Sequence, residues 1–576
     1  MSSEKFARYR QAQGPLPATH WLWPLYGAGL ENLGREGRPI QVPMPVCGPD
    51  ELLVRHDAVG LCFSDTKVIQ VGGAHPRLRG RDLEREPVVL GHEVAMTIAQ
   101  VGENLRDRFH VGERFIIQAD IYYHGVGLAY GYALQGGLSQ YNVVGREILK
   151  GDEGCYLLPI KPHMGYAQAA LTEPWACVVA AYHIAYRTAW KPGGRVLIVF
   201  GPKTPYIVRL GEPFDYAAPP AEVLVFQPEY EVWNSLRVRC AQRHVRLDRL
   251  SSLEDLAGQT FDDIVLVGGT PELYERLEPL AANGAMINLV GVAGFIGKTQ
   301  VDVGRLHYDH IGLVGTYTPT ISAGYEQPIR SEFRPGGCML LLGAAGPMGQ
   351  IHFQRALQAE TSPRLVVAAS RSMDRLGLLV PKYRDLIAAK EGQTRVLVRA
   401  FGERLTEAFC QELLAETGGQ GFDDIIVLAP SAQVVADAMP LLAPQGVMNI
   451  FAGLPRGTKA AIDLYSIARH GVRLIGSSGS SIADLRHMLE EAESGRLDPN
   501  LSVVAISGLG DAKKGLEGVM SQRFPGKVVI YPQVLDFPLT MLSDLKERLP
   551  RVYERLGPNE SWTVEAEAAF LEELLP

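Results

Sequence analysis

"RPGGCMLLLGAAGPMG" (334–349) is the stretch whose reading decides the fold. An apolar run of β character passes straight into a turn of glycine and alanine. "QIHFQRAL" (350–357) then continues with helical spacing, and a second β-rich run, "RLVVAAS" (364–370), follows. Glycine at such a turn lets the backbone approach a pyrophosphate, which then sits at the helix N-terminus. Gly346 and Gly349 match the last two glycines of the G-x-G-x-x-G pattern. The first position is Ala344, with Gly343 just before it, so the match is imperfect and draws its strength from the strand-turn-helix setting.

The same grammar occurs earlier in the chain. "KPGGRVLIVFGP" (191–202) is echoed by "RPGGCMLLLGAA" (334–345), and "FDDIVLV" (261–267) by "FDDIIVL" (422–428). "PLAANGAMINLVG" (279–291) is echoed by "PLLAPQGVMNIFAG" (440–453), and "IGLVG" (311–315) by "VRLIG" (472–476). Four matches in one order, the last three spaced about 160 residues apart, indicate a duplicated domain; the period is too long for a solenoid. Each copy alternates buried, β-branched strands with helical segments, the pattern of a doubly wound parallel sheet. The expectation is two Rossmann-like α/β domains in tandem.

Only the second copy carries a nucleotide turn. Aligned on the PGG element, Lys203 and Tyr206 fall where Gly346 and Gly349 stand, and the stretch that follows, "TPYIVRLGEPFDYAAPPAE", is short and rich in proline. A side chain at each close-approach position blocks the pyrophosphate, so the first copy reads as degenerate. Gly343, Gly346, Pro347, Met348 and Gly349 are the expected cofactor turn, with Gly453 a further cofactor residue. The second strand ends in Ser370-Arg371, where an acidic residue would serve the ribose of NAD. A small polar residue followed by arginine suits a 2′-phosphate, so NADP(H) is expected over NAD(H).

Ahead of the duplication, residues 40–150 alternate short β-rich runs with glycine and proline, as in an irregular antiparallel domain. From about 165, "YAQAALTEPWACVVAAYHIAYRTA" has helical spacing. After the second copy, "GLGDAKKGLEGVMSQRFPGKVVIYP" reads as a helix and a strand. The segment 538–576 is acidic and helical, with the spacing of an amphipathic helix that docks on the body or on a partner.

The totals bound the rest. The 576 residues exceed one core and suggest three or four domains. Hydrophobic content of 46% and a net charge of −8 fit a globular chain with no pull toward nucleic acid or anionic membrane. No apolar run reaches the ~20 residues of a membrane span. The N-terminus "MSSEKFARYRQAQGP" lacks the apolar core of a secretory signal, and the seven scattered cysteines form no CxxC pair. A reducing cytoplasm is expected.

Within "PVVLGHEVAMTIAQVG" (87–102), His92 and Glu93 interrupt an apolar run. Taken alone, the pair fits a core histidine beside an edge carboxylate, since neighbours in a strand face opposite ways. The wider pattern changes the reading. With "GLCFSD" (60–65), "LGHEV" (90–94), "VGERF" (111–115), "LTEPWACVVAAY" (171–182) and "GAAGPMG" (343–349), the chain resembles the zinc-dependent medium-chain alcohol and polyol dehydrogenase superfamily. It is most similar to the branch of L-sorbose-1-phosphate reductase and sorbitol dehydrogenase, from about residue 40 to 530 apart from the extra Rossmann copy.

The resemblance implies a GroES-like β-rich catalytic domain over 1–190, completed by about 500–537. It further implies a degenerate Rossmann-like domain over 191–330, an NAD(P)-binding one over 331–499 and a helical tail over 538–576. It implies one catalytic zinc held by Cys62, His92 and Glu93, with Glu173 binding directly or through water. Soft, borderline and hard donors of this kind suit a zinc that keeps one position open, and Glu93 and Glu173 compete for the carboxylate role. No cysteine lies in 95–130, so no structural zinc is expected. Ser64 takes the proton-relay position, and Lys67 extends the relay or holds an anionic substrate.

"AHPRLRGRDLERE" (74–86) offers Arg77 and Arg79 to a substrate phosphate, against the plain reading of a solvated charged loop. "IYYHGVGLAYGYALQGG" (121–137) offers Tyr130 and Tyr132 as weaker substrate contacts. The expected activity is interconversion of a secondary alcohol of a polyol, sugar or sugar phosphate with a ketone. A redox-neutral epimerase with tightly bound NAD(P), and a non-catalytic nucleotide-binding sensor or scaffold, are the competing readings. The oligomeric state, a homodimer included, stays open.

Overall fold

The computed structural model describes residues 4–182, 187–214, 218–326 and 332–576. The end of the helical segment that starts near 165 (residues 183–186), part of the proline-rich stretch (215–217) and the 330/331 boundary lie outside the described residues. The chain forms two compact units. One comprises Met1–Val179, Gly346–Ile351 and Gly479–Pro576; the other comprises Ala180–Ala345 and His352–Ser478.

The first unit is built on an eight-stranded sheet. Its central strand, Leu52–Gly60, is buried along its whole length between Glu93–Val101 and Lys527–Tyr531. That strand carries Arg55, His56 and Asp57 in the interior, and each is partnered. Arg55 Nε donates to Asp57 Oδ1 at 2.8 Å, Tyr9 OH and Thr97 Oγ1 donate to the same carboxylate at 2.6 and 2.5 Å, and His56 Nδ1 lies 2.8 Å from Ser139 O. Buried polar groups are tolerable when satisfied in this way. Late residues close the sheet: Val503–Gly508 pairs with Lys527–Tyr531 and with Thr540–Met541. The tail docks on this same unit. Glu567, on the helix Val564–Leu574, is buried and accepts from Tyr166 N at 2.5 Å, Ala167 N at 2.7 Å and Tyr531 OH at 2.9 Å. Its carboxylate thereby caps the helix Tyr166–Ala170.

The second unit is a twelve-stranded sheet made of both copies. In the first copy the order is third (Arg246–Leu250), second (Glu222–Phe226), first (Arg195–Phe200), fourth (Phe261–Val267), fifth (Ala281–Val290) and sixth (Gly312–Thr316) strand. The second copy mirrors it from its sixth strand Arg473–Gly476 outward through Leu442–Ile450, Phe422–Val427, Cys338–Leu342 and Leu365–Ser370 to Arg395–Ala400. Inside each copy the strands are parallel, the doubly wound order expected from the sequence.

The copies meet where Leu313 pairs with its counterpart Leu474, antiparallel. A second antiparallel ribbon, Lys298–Asp302 against Lys459–Asp463, runs Lys298 opposite Asp463 and Asp302 opposite Lys459. Equivalent residues facing each other in this way define a pseudo-two-fold relation. The glycines of the echoed "IGLVG" and "VRLIG" explain the close approach. A Cβ at Gly315 would collide with the backbone of Ala468, and one at Gly476 with the backbone of Leu306 and His307.

The other echoes also have a structural cause. In the first copy Asp263 Oδ2 accepts from Lys191 N at 2.9 Å and Asp262 Oδ2 from Arg195 N at 3.0 Å. In the second, Asp424 Oδ2 accepts from Arg334 N at 2.7 Å and Asp423 Oδ2 from Cys338 N at 2.8 Å. The paired aspartates of "FDDI" thus pin the PGG turn in both copies.

Candidate metal and cofactor sites

The metal candidates converge in the first unit. One ligand atom each from Cys62, His92 and Glu93 lie within 4.8 Å of one another, the three-residue metal-ligating cluster found among the described residues. Cys62 precedes the helix Phe63–Val71, and His92 precedes the strand Glu93–Val101. Gly91, at φ +94°, makes the turn before His92, where a Cβ would strike Val59 and Leu138.

Asp65, on the first turn of that helix, ties the two ligand segments together. Its carboxylate accepts from Cys62 N at 3.1 Å and lies 3.2 Å from His92 Nδ1. Nε2 is thereby left toward the cluster, the usual way a carboxylate fixes a ligating imidazole. Burial opposes a charge on His92, but Asp65, with Tyr132 and Cys62, outweighs it and holds the pKa well above the ordinary value. Ser64 Oγ stands 3.1 Å from Cys62 Sγ and 3.3 Å from His92 Nε2, so the residue expected in the relay lies against the cluster. Lys67 follows one turn later on the same helix, half-buried.

Glu93 has a partner that the sequence reading missed. Lys527 is buried, donates to Leu61 O at 3.0 Å and forms a short ion pair with Glu93 Oε1. Burial works against its charge, but Glu93 and Cys62 reverse the balance and raise its pKa. The reach is made possible by Gly60. The strand register places Gly60 beside Glu93 on one side and Val529 on the other, and a Cβ at Gly60 would collide with Glu93 Oε2. A charged residue opening the apolar strand "KVVIY" was the available signal, 434 residues from its partner.

The donor set fits a divalent cation. Glu93 Oε2 is buried without a hydrogen-bond partner, an arrangement costly for a carboxylate unless a cation takes up that oxygen. Glu173, on the helix Thr172–Ala180, is not part of the three-residue cluster. Burial pushes its pKa up to about 7; the field of His92 opposes this, and that of Glu93 adds to it. Cys177 Sγ lies 3.8 Å from Glu173 Oε1.

The weaker substrate candidates separate. Tyr132 is buried with its ring centroid 5.6 Å from that of His92 and 5.6 Å from that of His75. Arg77 lies 5.2 Å from the Tyr132 ring and is ion-paired to Asp120. Arg79 is exposed, donating to Gly127 O at 3.3 Å. Tyr130 is a core residue: fully buried, its hydroxyl sits 2.7 Å from His56 Nε2 and accepts from Asn142 Nδ2 at 3.1 Å. The expectation that it faces a substrate is corrected, because its only polar atom is engaged inside the fold.

Each cofactor candidate lies where a doubly wound fold presents its ligand surface, at the carboxyl ends of the strands. Gly343 follows the strand Cys338–Leu342 at φ +103°, and a Cβ there would press on Leu428 and Ala429. Pro347 opens the helix Pro347–Gln358, a favoured first position, with Met348 and Gly349 in its first turn and Gly346 just ahead. Arg375 donates to Ala345 O at 3.0 Å and supports the turn. Ser370 ends the second strand and Arg371 beyond it is exposed. Gly453 lies in the loop after the fifth strand Leu442–Ile450. In the first copy no helix forms among the described residues between Arg195–Phe200 and Glu222–Phe226. Thr204 Oγ1 donates to Gly201 O at 2.7 Å in a tight turn, and Tyr206 is 97% exposed. Without a helix N-terminus among the described residues, this stretch offers no pyrophosphate cradle there.

Residues 48–150 match the family model of the alcohol dehydrogenase GroES-like domain. The chain is 24% identical to the mannitol-1-phosphate 5-dehydrogenase of Aliivibrio fischeri over 92% of this chain and 93% of that protein. It is 31% identical to the L-sorbose 1-phosphate reductase of Klebsiella pneumoniae over 41% of this chain and 55% of that protein. Its fold is like that of the 2R,3R-butanediol dehydrogenase of Bacillus subtilis, with a TM-score of 0.50 and 15% identity over 89% of this chain and 99% of that one. Among the described residues no helix is long and apolar enough to cross a membrane.

Proposed function

We propose that the chain is a zinc-dependent oxidoreductase of the medium-chain alcohol and polyol dehydrogenase superfamily that prefers NADP(H), a reading supported by the GroES-like domain match and by the polyol-phosphate relatives. It interconverts a secondary alcohol of a polyol phosphate with the corresponding ketose phosphate. The observation that carries this reading is the Cys62–His92–Glu93 cluster, its histidine and glutamate buried and its cysteine half-buried, with its orphaned Glu93 oxygen. When bound, zinc supplies Lewis-acid polarisation of a carbonyl or acidification of an alcohol, and the nicotinamide carries the hydride. Cys62, His92 and Glu93 would hold the metal, Glu93 through its unpartnered Oε2. Glu93 shares its charge with Lys527, so the cluster keeps more positive character than a bare thiolate and carboxylate would allow. Asp65 orients His92. Ser64, in contact with both donors, hands the alcohol proton outward, with Lys67 next along the helix.

Phosphate on the substrate is supported by the two relatives' names and by a basic group near Tyr132. Lys67 and Arg77 both act electrostatically on His75, whose ring lies 5.6 Å from that of Tyr132, itself beside His92. Ser370 and Arg371 support the choice of NADP(H). The decisive experiment combines metal analysis with NADPH oxidation against ketoses with and without phosphate. One zinc per chain and turnover, both lost in Cys62→Ala, are expected. Zinc without turnover on any ketose would point to the redox-neutral enzyme, and neither zinc nor turnover to a binding protein.

A further inference from the structure

The first Rossmann copy has lost its own nucleotide turn, yet its polar groups converge on one loop of the second copy. That loop, 451–458, follows the fifth strand of the second copy and carries Gly453. Asp302 Oδ2 accepts from Gly457 N at 2.8 Å, and Val303 N donates to Thr458 O at 3.0 Å. Asp309 Oδ1 accepts from Arg456 Nε at 2.8 Å, while its other oxygen accepts from Arg305 Nε at 2.7 Å. Burial would raise the Asp309 pKa, but the bonds from Arg305 and Arg456 outweigh it and hold it low. Glu278 forms a short ion pair with Lys459 at the loop's end. Gly304 completes the seat: a Cβ there would collide with the carbonyl of Pro455, and the matching helix position in the second copy is Tyr465.

We infer that the first copy is retained as a brace, with Asp302, Gly304 and Asp309 as positioning residues that hold the cofactor loop 451–458 in its binding shape. The physical case is entropic. A loop of this length with glycines at 453 and 457 is costly to order, and fixing it before the ligand arrives lowers the cost of binding. Backbone bonds to Gly457 and Thr458 set the chain path, and the Asp309–Arg456 pair fixes the loop's outer side. The retention of a domain that cannot bind a nucleotide follows from this. Removing it would expose an edge strand and release the loop at the same time.

The inference rests on the proposed use of Gly453 for NADP(H), and its test separates the two. NADPH binding is first measured on the unsubstituted, zinc-loaded chain by fluorescence. The variants are Asp309→Asn, Arg456→Gln and the conservative Arg456→Lys. In the first two, amide hydrogen exchange across 451–458 without cofactor should quicken. The dissociation constant and KM for NADPH should rise about three- to tenfold, as for loss of one charge-assisted bond, while kcat at saturation and zinc content hold. Arg456→Lys should recover part of the affinity. Unchanged exchange, or faster exchange with wild-type NADPH affinity, would overturn the brace alone. Failure of the unsubstituted chain to bind NADPH or NADH would overturn the proposed function and the brace with it.

Discussion

The two copies share strand order, the aspartate-pinned PGG turn and the glycines at their junction, yet among the described residues only the second has a helix between its first and second strands. The difference that bears on a nucleotide lies at Gly346 and Gly349 on one side, Lys203 and Tyr206 on the other. What is shared belongs to the sheet and to the contact between copies. Packing constrains the strands of both copies alike, whereas a bound pyrophosphate would constrain only the turn that the second copy offers.

The largest effect is expected from carrying the first copy's residues into the second. Gly346→Lys with Gly349→Tyr should weaken NADPH binding at least about a hundredfold, roughly 3 kcal/mol, with zinc content unchanged. Measurable nucleotide binding by that double variant would break the comparison. Next come the junction glycines. Gly315→Val and Gly476→Val should each destabilise the chain by about 1–3 kcal/mol in urea denaturation, since neither helix can withdraw from the strand it covers. Similar losses would support the pseudo-two-fold relation, and a loss in only one would count against it. Arg371→Ala should cost NADPH about tenfold and leave NADH nearly untouched.

The smallest effect concerns Asp263. Burial raises its carboxyl to about 7 from 3.8, against the pull of Arg187. Between those values the folded chain binds more protons than the unfolded one, so stability falls as pH rises through that window and levels off above it. Asp263→Asn removes this titration. Its Tm should therefore vary less than that of the wild type between about pH 5 and pH 8, by about 2 °C. Parallel curves would show that the carboxyl does not titrate in that range.

Much of this was legible in the sequence because it is local or periodic. The repeats, the broken turn at Lys203 and Tyr206 and the candidate ligands Cys62 and His92 each sit in short stretches whose spacing carries meaning. What escaped was tertiary. Nothing in "IGLVG" or "VRLIG" says that these edge strands pair with each other, since an edge strand and a paired one have the same alternation. Lys527 looked like the first residue of an ordinary strand, and only the strand register brings it across Gly60 to Glu93. Tyr130 misled because a tyrosine in a glycine-rich segment reads as a cleft wall, whereas His56, 74 residues earlier, claims its hydroxyl inside.

The ion pair between Glu93 and Lys527 also orders events in time. A ribosome delivers Leu52–Gly60 and Glu93–Val101 early, and the strand that completes their sheet only after both Rossmann copies have emerged. The twelve-stranded sheet has all its strands in hand before Lys527 exists. Until then Glu93 has no countercharge, and the thiol of Cys62 waits beside an open sheet edge. The Cys62–His92–Glu93 cluster is thus completed only after both Rossmann-like copies have been made, and the insertion of those copies into the first unit is what delays it.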